Sequence, residues 1–162
     1  MKVRLALSTA ILCLNGLAQI GMAPKHDFTL QPATDPKFHP GDRWEYDTRP
    51  GERKSTAIIL KVENSPELGV IVHIAVDNLV WVSCQNDHIP EREPHMPFSR
   101  DAVDASLTRR IASNQPAPDR AKEGYIQWKE AWPRRQAGIY VIPVREAVAV
   151  AEATYRSANG CK

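Results

Sequence analysis

No glycine-rich phosphate loop occurs in the 162 residues, nor a Gly-x-Ser-x-Gly elbow, a His-Glu-x-x-His helix or a pair of cysteines at metal spacing. Each absence removes a chemistry that needs that spacing: nucleotide cradling, an α/β-hydrolase nucleophile, a helical zinc protease or a zinc ribbon. No cofactor is expected. Charge of one sign is also lacking, with 21 basic against 19 acidic residues. Removal of an N-terminal segment carrying Lys2 and Arg4 leaves 19 of each. A neutral domain without a basic stripe is not expected to bind nucleic acid. No apolar run is long enough to span a bilayer.

The longest apolar run, Leu5 to Leu14, follows Lys2 and Arg4 and precedes small residues. That order is a secretory signal, with cleavage expected after Ala18 or, alternatively, after Ala23. No membrane association is expected after cleavage. Residues 19–40 hold four prolines and little periodicity, and read as an extended leader that stays poorly ordered unless it docks. Residues 41–162 are expected to form one domain. An exported chain gives its two remaining cysteines, Cys84 and Cys161, an oxidising compartment in which to pair. Closing so long a loop would stabilise the fold by roughly 4 kcal/mol in the chain-entropy picture.

Alternation predicts the strands. Trp44, Tyr46 and Thr48 share one side of a segment ending at Arg49. A second strand runs from about Ser55 to Glu63, a third from Val70 to Val76, and a fourth from Leu79 to Ser83. A loop with an odd number of residues around Gly51 would set Trp44 opposite Ile58 and align the apolar sides, with Gly51 taking a positive φ. Arg49 then sits at an exposed hairpin tip, where a partner-binding role is the alternative to simple turning. The proline-rich stretch 84–98 reads as a loop. Ser99 is a good helix N-cap, and Val103, Leu107 and Ile111 recur at helical spacing up to Asn114. Tyr125, Trp128 and Trp132 fall on one stripe of a second short helix. Residues 138–142 suggest a fifth strand, and Pro143 opens a last helix. The fold class expected is α+β: an antiparallel four- to five-stranded meander with two or three helices on one face.

Candidate chemistry gathers at "HIPEREPH", where His88, Glu91, Glu93 and His95 lie within eight residues. Imidazole and carboxylate suit zinc, and His73 could join them. The plainer reading is a solvated charged loop, with His73 a satisfied histidine on the back of the sheet. Cys84 with a histidine could form a thiolate dyad, in competition with the disulfide. The stripe Tyr125, Trp128, Trp132, followed by Arg134, could bind a partner protein or stack on a sugar; aromatic residues at helical spacing more often form core.

The segments "GDRWEYDTRPGE", "LGVIVHIAVDNL", "PHMPFSRDAV" and "GYIQWKEAW", followed by "AGIYVIPVREAV", resemble a family of small uncharacterised bacterial proteins. The resemblance covers about residues 38 to 152. It implies one compact domain, strands first and helices after, and carries no activity, cofactor or catalytic residue with it. Three functions stay open at this point. The first is an exported, non-catalytic domain of the cell envelope that holds another protein, as an inhibitor or immunity protein does. The second is a small hydrolase or metal-dependent enzyme using His73, His88 and His95. The third is a small-ligand carrier.

Overall fold

Six antiparallel strands and three α-helices make up the computed structural model, which describes residues 28–85 and 87–161. The signal segment expected at the N-terminus lies outside the described residues. The strands are β1 (Gln31–Pro32), β2 (Arg43–Tyr46), β3 (Thr56–Ser65), β4 (Gly69–Val82), β5 (His88–Ser99) and β6 (Leu107–Ala112). The helices are α1 (Arg100–Ser106), α2 (Ala121–Ala131), extended by a 3₁₀ turn at Trp132–Arg134, and α3 (Val144–Ala158). The order across the sheet is β5-β4-β3-β2-β6, with β1 also on β3. The α+β class is as expected. Strands β2 to β5 form the meander, and β6 returns to lie beside β2.

Several expectations are corrected. The stretch 84–98 is mostly strand, not loop: β5 is an edge strand with register shifts against β4, and edges and bulges are where a sheet tolerates proline. Asp77-Asn78 does not end a strand. Asn78 takes φ 57° within a continuous β4, and the β4–β5 register shifts there. The helix begun by Ser99, whose Oγ accepts from Ala102 N–H at 3.3 Å, stops at Ser106. Ser106 Oγ donates to Ala102 O and accepts from Val144 N–H, so one hydroxyl ends α1 and satisfies a free donor at the start of α3. "LTRRIA" beyond it pairs with β2 as a strand. Residues 138–142 contribute only an isolated parallel bridge, Tyr140 to Phe98.

The register of β2 on β3 also differs. Trp44 lies opposite Ala57, not Ile58. Pro50-Gly51 form the centre of a type II turn, closed by Glu52 N–H donating to Arg49 O at 3.2 Å, and Gly51 takes φ 90° as expected. That turn sits inside a longer connection between Tyr46 and Thr56, so it does not set the register. A bulge between Ile59 and Lys61 does the rest. Before it, Ala57 and Ile59 face the main core; after it, Val62 does. One extra residue thus exchanges the two sides of β3. Ile58 is turned to the opposite side, opposite Ala75 in the ladder, so Trp44, Ile58 and Ile74 do not share a face.

Both faces of the sheet are therefore covered. Helices α1 and α3 pack Val103, Val144, Ala147 and Val148 on the face of Val72, Ile74 and Phe98. Helix α2 packs on the other face, where Trp128 and Trp132 meet Ile71. The helices do not all lie on one side, as the sequence pattern suggested. The leader docks as well. Phe38 is fully buried against Trp44, Asp35 binds Arg100 at 2.9 Å, and Phe28 and Leu30 pack under α2. Cys84 and Cys161 are joined, tying the end of α3 to the β4–β5 turn. Among the described residues no helix is long and apolar enough to cross a membrane.

Candidate functional site

The bulge in β3 places Lys61 and Glu63 on the α2 side, across from His73 and Ile71 of β4. On the far side of β4, Pro97 lies opposite His73 and His95 follows two residues before it on the same face. Five polar side chains then meet under α2. His73 Nδ1 lies 2.9 Å from His95 Nε2, and the rings stack with centroids 5.2 Å apart. His73 Nε2 is 3.2 Å from Glu63 Oε2. Tyr125 donates its hydroxyl to both Glu63 oxygens, at 2.9 and 3.0 Å. Lys61 Nζ sits 2.8 Å from Glu63 and 2.7 Å from the Tyr125 oxygen. Trp128 closes over His73 with ring centroids 4.9 Å apart.

The protonation pattern follows from charge. Burial pushes the Glu63 carboxyl up, but contacts from His73, Lys61 and Tyr125 outweigh it and bring it down to about 2. An ionised Glu63 only accepts, so His73 must carry its proton on Nε2; a lone pair there would face the carboxylate. The contact is a near ion–dipole approach, because Nε2 finds no partner at hydrogen-bonding angles. His73 Nδ1 is then bare and accepts from His95 Nε2–H. His95 Nδ1 is left as an acceptor that no hydrogen bond among the described residues engages. Burial is the main force lowering both imidazoles, His95 to about 3, with His73 a further cause for His95. Both rings are neutral at pH 7.

His95 also forms part of the wall of an open cleft of about 580 Å³, between the β5 edge, α2 and residues 136–140. Gly124 makes the close approach possible: a Cβ there would come within 2.8 Å of the His95 Cβ. Nothing in the local sequence pattern marks Gly124, Lys61 or Glu63 as neighbours of His73; the bulge that joins them is invisible to alternation.

The other candidates separate. His88 is exposed, opposite Val82, about 23 Å along β5 from His95 at ~3.3 Å per residue. It does not join His73 and His95. Glu93 lies opposite Val76 on the other face, its carboxyl raised to about 7 by burial and by Glu91. Among the described residues no group of three or more His, Cys, Asp or Glu could hold a metal ion. Arg49 is not an exposed tip. Its guanidinium grips Glu52 in a bidentate pair at 2.5 and 2.8 Å and reaches Glu152 of α3 at 2.5 Å. Those carboxylates in turn accept Val80 N–H and Val82 N–H, where β4 runs beyond β3. The corner is a structural clamp. Trp128 and Trp132 are core, 8% and 6% exposed, while Arg134 is exposed beside Gln136. Cys84 is bonded to Cys161, so it offers no thiolate to a dyad.

No family model matches the chain, and neither a curated protein nor a solved structure is significantly similar to it.

Proposed function

We propose that the protein is a non-catalytic binding domain of the cell envelope, which holds another protein in the manner of an inhibitor or an immunity protein, with the cleft beside His95 as its recognition surface. The observation that carries this reading is the state of the histidine network. Glu63 and His73 are 1% and 0% exposed beneath Tyr125 and Trp128, so a substrate has no route to them. Of Glu63, His73 and His95, only His95 lines the cleft, and its low basicity suits a hydrogen-bonding group better than a proton acceptor, which works best with a pKa near the working pH. The cleft walls carry amides, aromatic rings and backbone, among them Gln127, Trp128, Gln136 and Tyr140. Such walls suit recognition. The signal-like N-terminus and the Cys84–Cys161 bond together support an oxidising destination, periplasmic or secreted.

One observation favours the hydrolase alternative: Glu63, His73 and His95 stand in series. That reading needs His95 to activate water in the cleft. A photo-crosslinking amino acid at Gln127 or Gln136, both exposed, tests the binding reading in intact cells against the same label at Ala149 of α3. One discrete adduct from the two cleft positions and none from Ala149 is expected. Adducts of equal pattern from all three, or from none, would overturn it.

A further inference from the structure

We infer that the cleft accepts a hydrogen-bond donor and rejects an acceptor, and that Glu63, sealed beneath Tyr125, is the positioning residue that fixes this choice through His73 and His95. The inference rests on the binding reading above and names what the partner presents: a side chain with an apolar body and an O–H or N–H at its end, of tyrosine or tryptophan type. Lys61 Nζ lies 2.8 Å from Glu63 Oε1, and the Tyr125 hydroxyl donates to both oxygens. Held ionised by these donors, Glu63 turns only lone pairs towards His73 Nε2, 3.2 Å away. The proton of His73 therefore stays on Nε2, and Nδ1 is bare. His95 Nε2, 2.9 Å from that bare atom, carries the other proton and donates it. The acceptor character of the carboxylate is thus relayed through two rings to His95 Nδ1. That atom makes no hydrogen bond among the described residues and, unlike His73 Nε2, is not sealed from solvent.

The walls narrow the occupant further. Pro94, Pro97, Ala131 and Ile139 line the cleft around His95 with apolar surface. An occupant that covers Nδ1 there without donating leaves a desolvated lone pair unpaired, which weakens binding by about tenfold. None of the described residues lining the cleft is a carboxylate, so a cationic donor would lose hydration without gaining a counter-charge. A neutral donor on an apolar body fits both conditions. Glu63→Gln keeps the shape and reverses the polarity. The amide oxygen stays towards Lys61, which can only donate, so the amide N–H turns to His73 Nε2. Both rings then shift their protons, and His95 presents an N–H instead of a lone pair.

Long-range proton–nitrogen correlation spectra of the isotopically labelled protein at pH 7 report which ring nitrogen of each histidine is bare. In the wild type Nδ1 of His73 and of His95 should be bare; in Glu63→Gln, Nε2 of both. Tyr125→Phe removes a hydrogen bond from Glu63 but not its charge, and should keep the wild-type pattern. The binding probes are para-cresol and para-methylanisole, followed by the shift of His95 Nδ1. The wild type should prefer para-cresol by about fivefold or more. Loss of that preference in Glu63→Gln would show that the donor, and not the extra methyl group, is read. A protonated Nδ1 on His95 of the wild type, or rings that do not reverse in Glu63→Gln, would overturn the relay. Equal affinity of the two probes for the wild type, or no response of Nδ1 to either, would overturn the donor rule. Should Glu63→Gln not fold, the wild-type spectrum and the probe pair decide alone. The crosslinks from Gln127 and Gln136 decide separately whether the cleft holds a partner at all.

Discussion

Replacing His95 with glutamine should flatten the acid side of the stability curve. The folded protein keeps His95 neutral down to about pH 3, whereas the unfolded chain protonates it near the ordinary value of 6.5. Below pH 6.5 the unfolded state therefore binds one proton more than the folded state, and stability falls as the pH falls. The slope is about 1.4 kcal/mol per pH unit for one proton. Between pH 6.5 and 4.5 the loss due to His95 is about 2 kcal/mol, after allowance for the part of the ring that reaches solvent. His73, also lowered, adds in the same direction. Glu93 opposes them: its raised carboxyl takes up a proton in the folded state between pH 7 and 4.5. The wild-type slope is a sum of opposed contributions, but the difference between wild type and His95→Gln isolates one proton. Glutamine also loses a hydrogen bond to His73, costing about 1 kcal/mol at every pH, which shifts the curve without tilting it. Urea unfolding followed by tryptophan fluorescence at pH 7, 6, 5 and 4.5 gives both curves. Parallel curves would refute the assignment of a neutral, proton-resisting His95.

Below pH 4.5 a further loss of about 3 kcal/mol from Glu63, held at about 2, should appear as its protonation breaks the contacts to Lys61 and His73, and Glu63→Gln should abolish that limb. Arg49→Ala should cost about 3 kcal/mol at pH 7, because Glu52 and Glu152 lose their shared cation while half-sealed from water; denaturant titration measures it, and a loss below 1 kcal/mol would contradict the clamp. Gly124→Ala should destabilise by about 1–2 kcal/mol despite the better helix propensity of alanine, since its Cβ meets a rigid Cβ at 2.8 Å; a raised melting temperature would sink this. Glu93→Gln should stabilise at pH 8 by about 2 kcal/mol and not at pH 4, and equal effects at both would refute the raised carboxyl.

What was legible in the sequence was whatever depends on near neighbours. The strands around Trp44, Ile58 and Val72, the Ser99 cap, the positive φ of Gly51 and the aromatic stripe of α2 all follow from local spacing. The Cys84–Cys161 bond followed from the compartment rather than from geometry. What failed involved a single residue inserted into a ladder. The bulge after Ile59 exchanges the sides of β3, and with it the assignment of Lys61 and Glu63 to a buried network rather than to solvent. "LTRRIA" carries a helical spacing of Leu107 and Ile111, yet Ser106 turns its hydroxyl to the backbone and β2 offers an open edge with Glu45 and Asp42 for Arg109 and Arg110. Tertiary pairing overrode that local period. His73 was read as a satisfied back-face histidine; it is buried on that face with Nδ1 hydrogen-bonded to His95, but Nε2 faces Glu63 without a hydrogen bond, and Glu63 and Trp128 could not be named as its neighbours because they come from separate elements.

Seven successive residues of β4, from Ile71 to Asp77, are inaccessible to solvent on both sides. A strand sandwiched in this way has no permissive positions to alternate with the demanding ones. Deep mutational scanning should therefore return an unbroken block of intolerance there, the kind of profile usually associated with the middle of a parallel sheet, from a strand whose neighbours all run the other way.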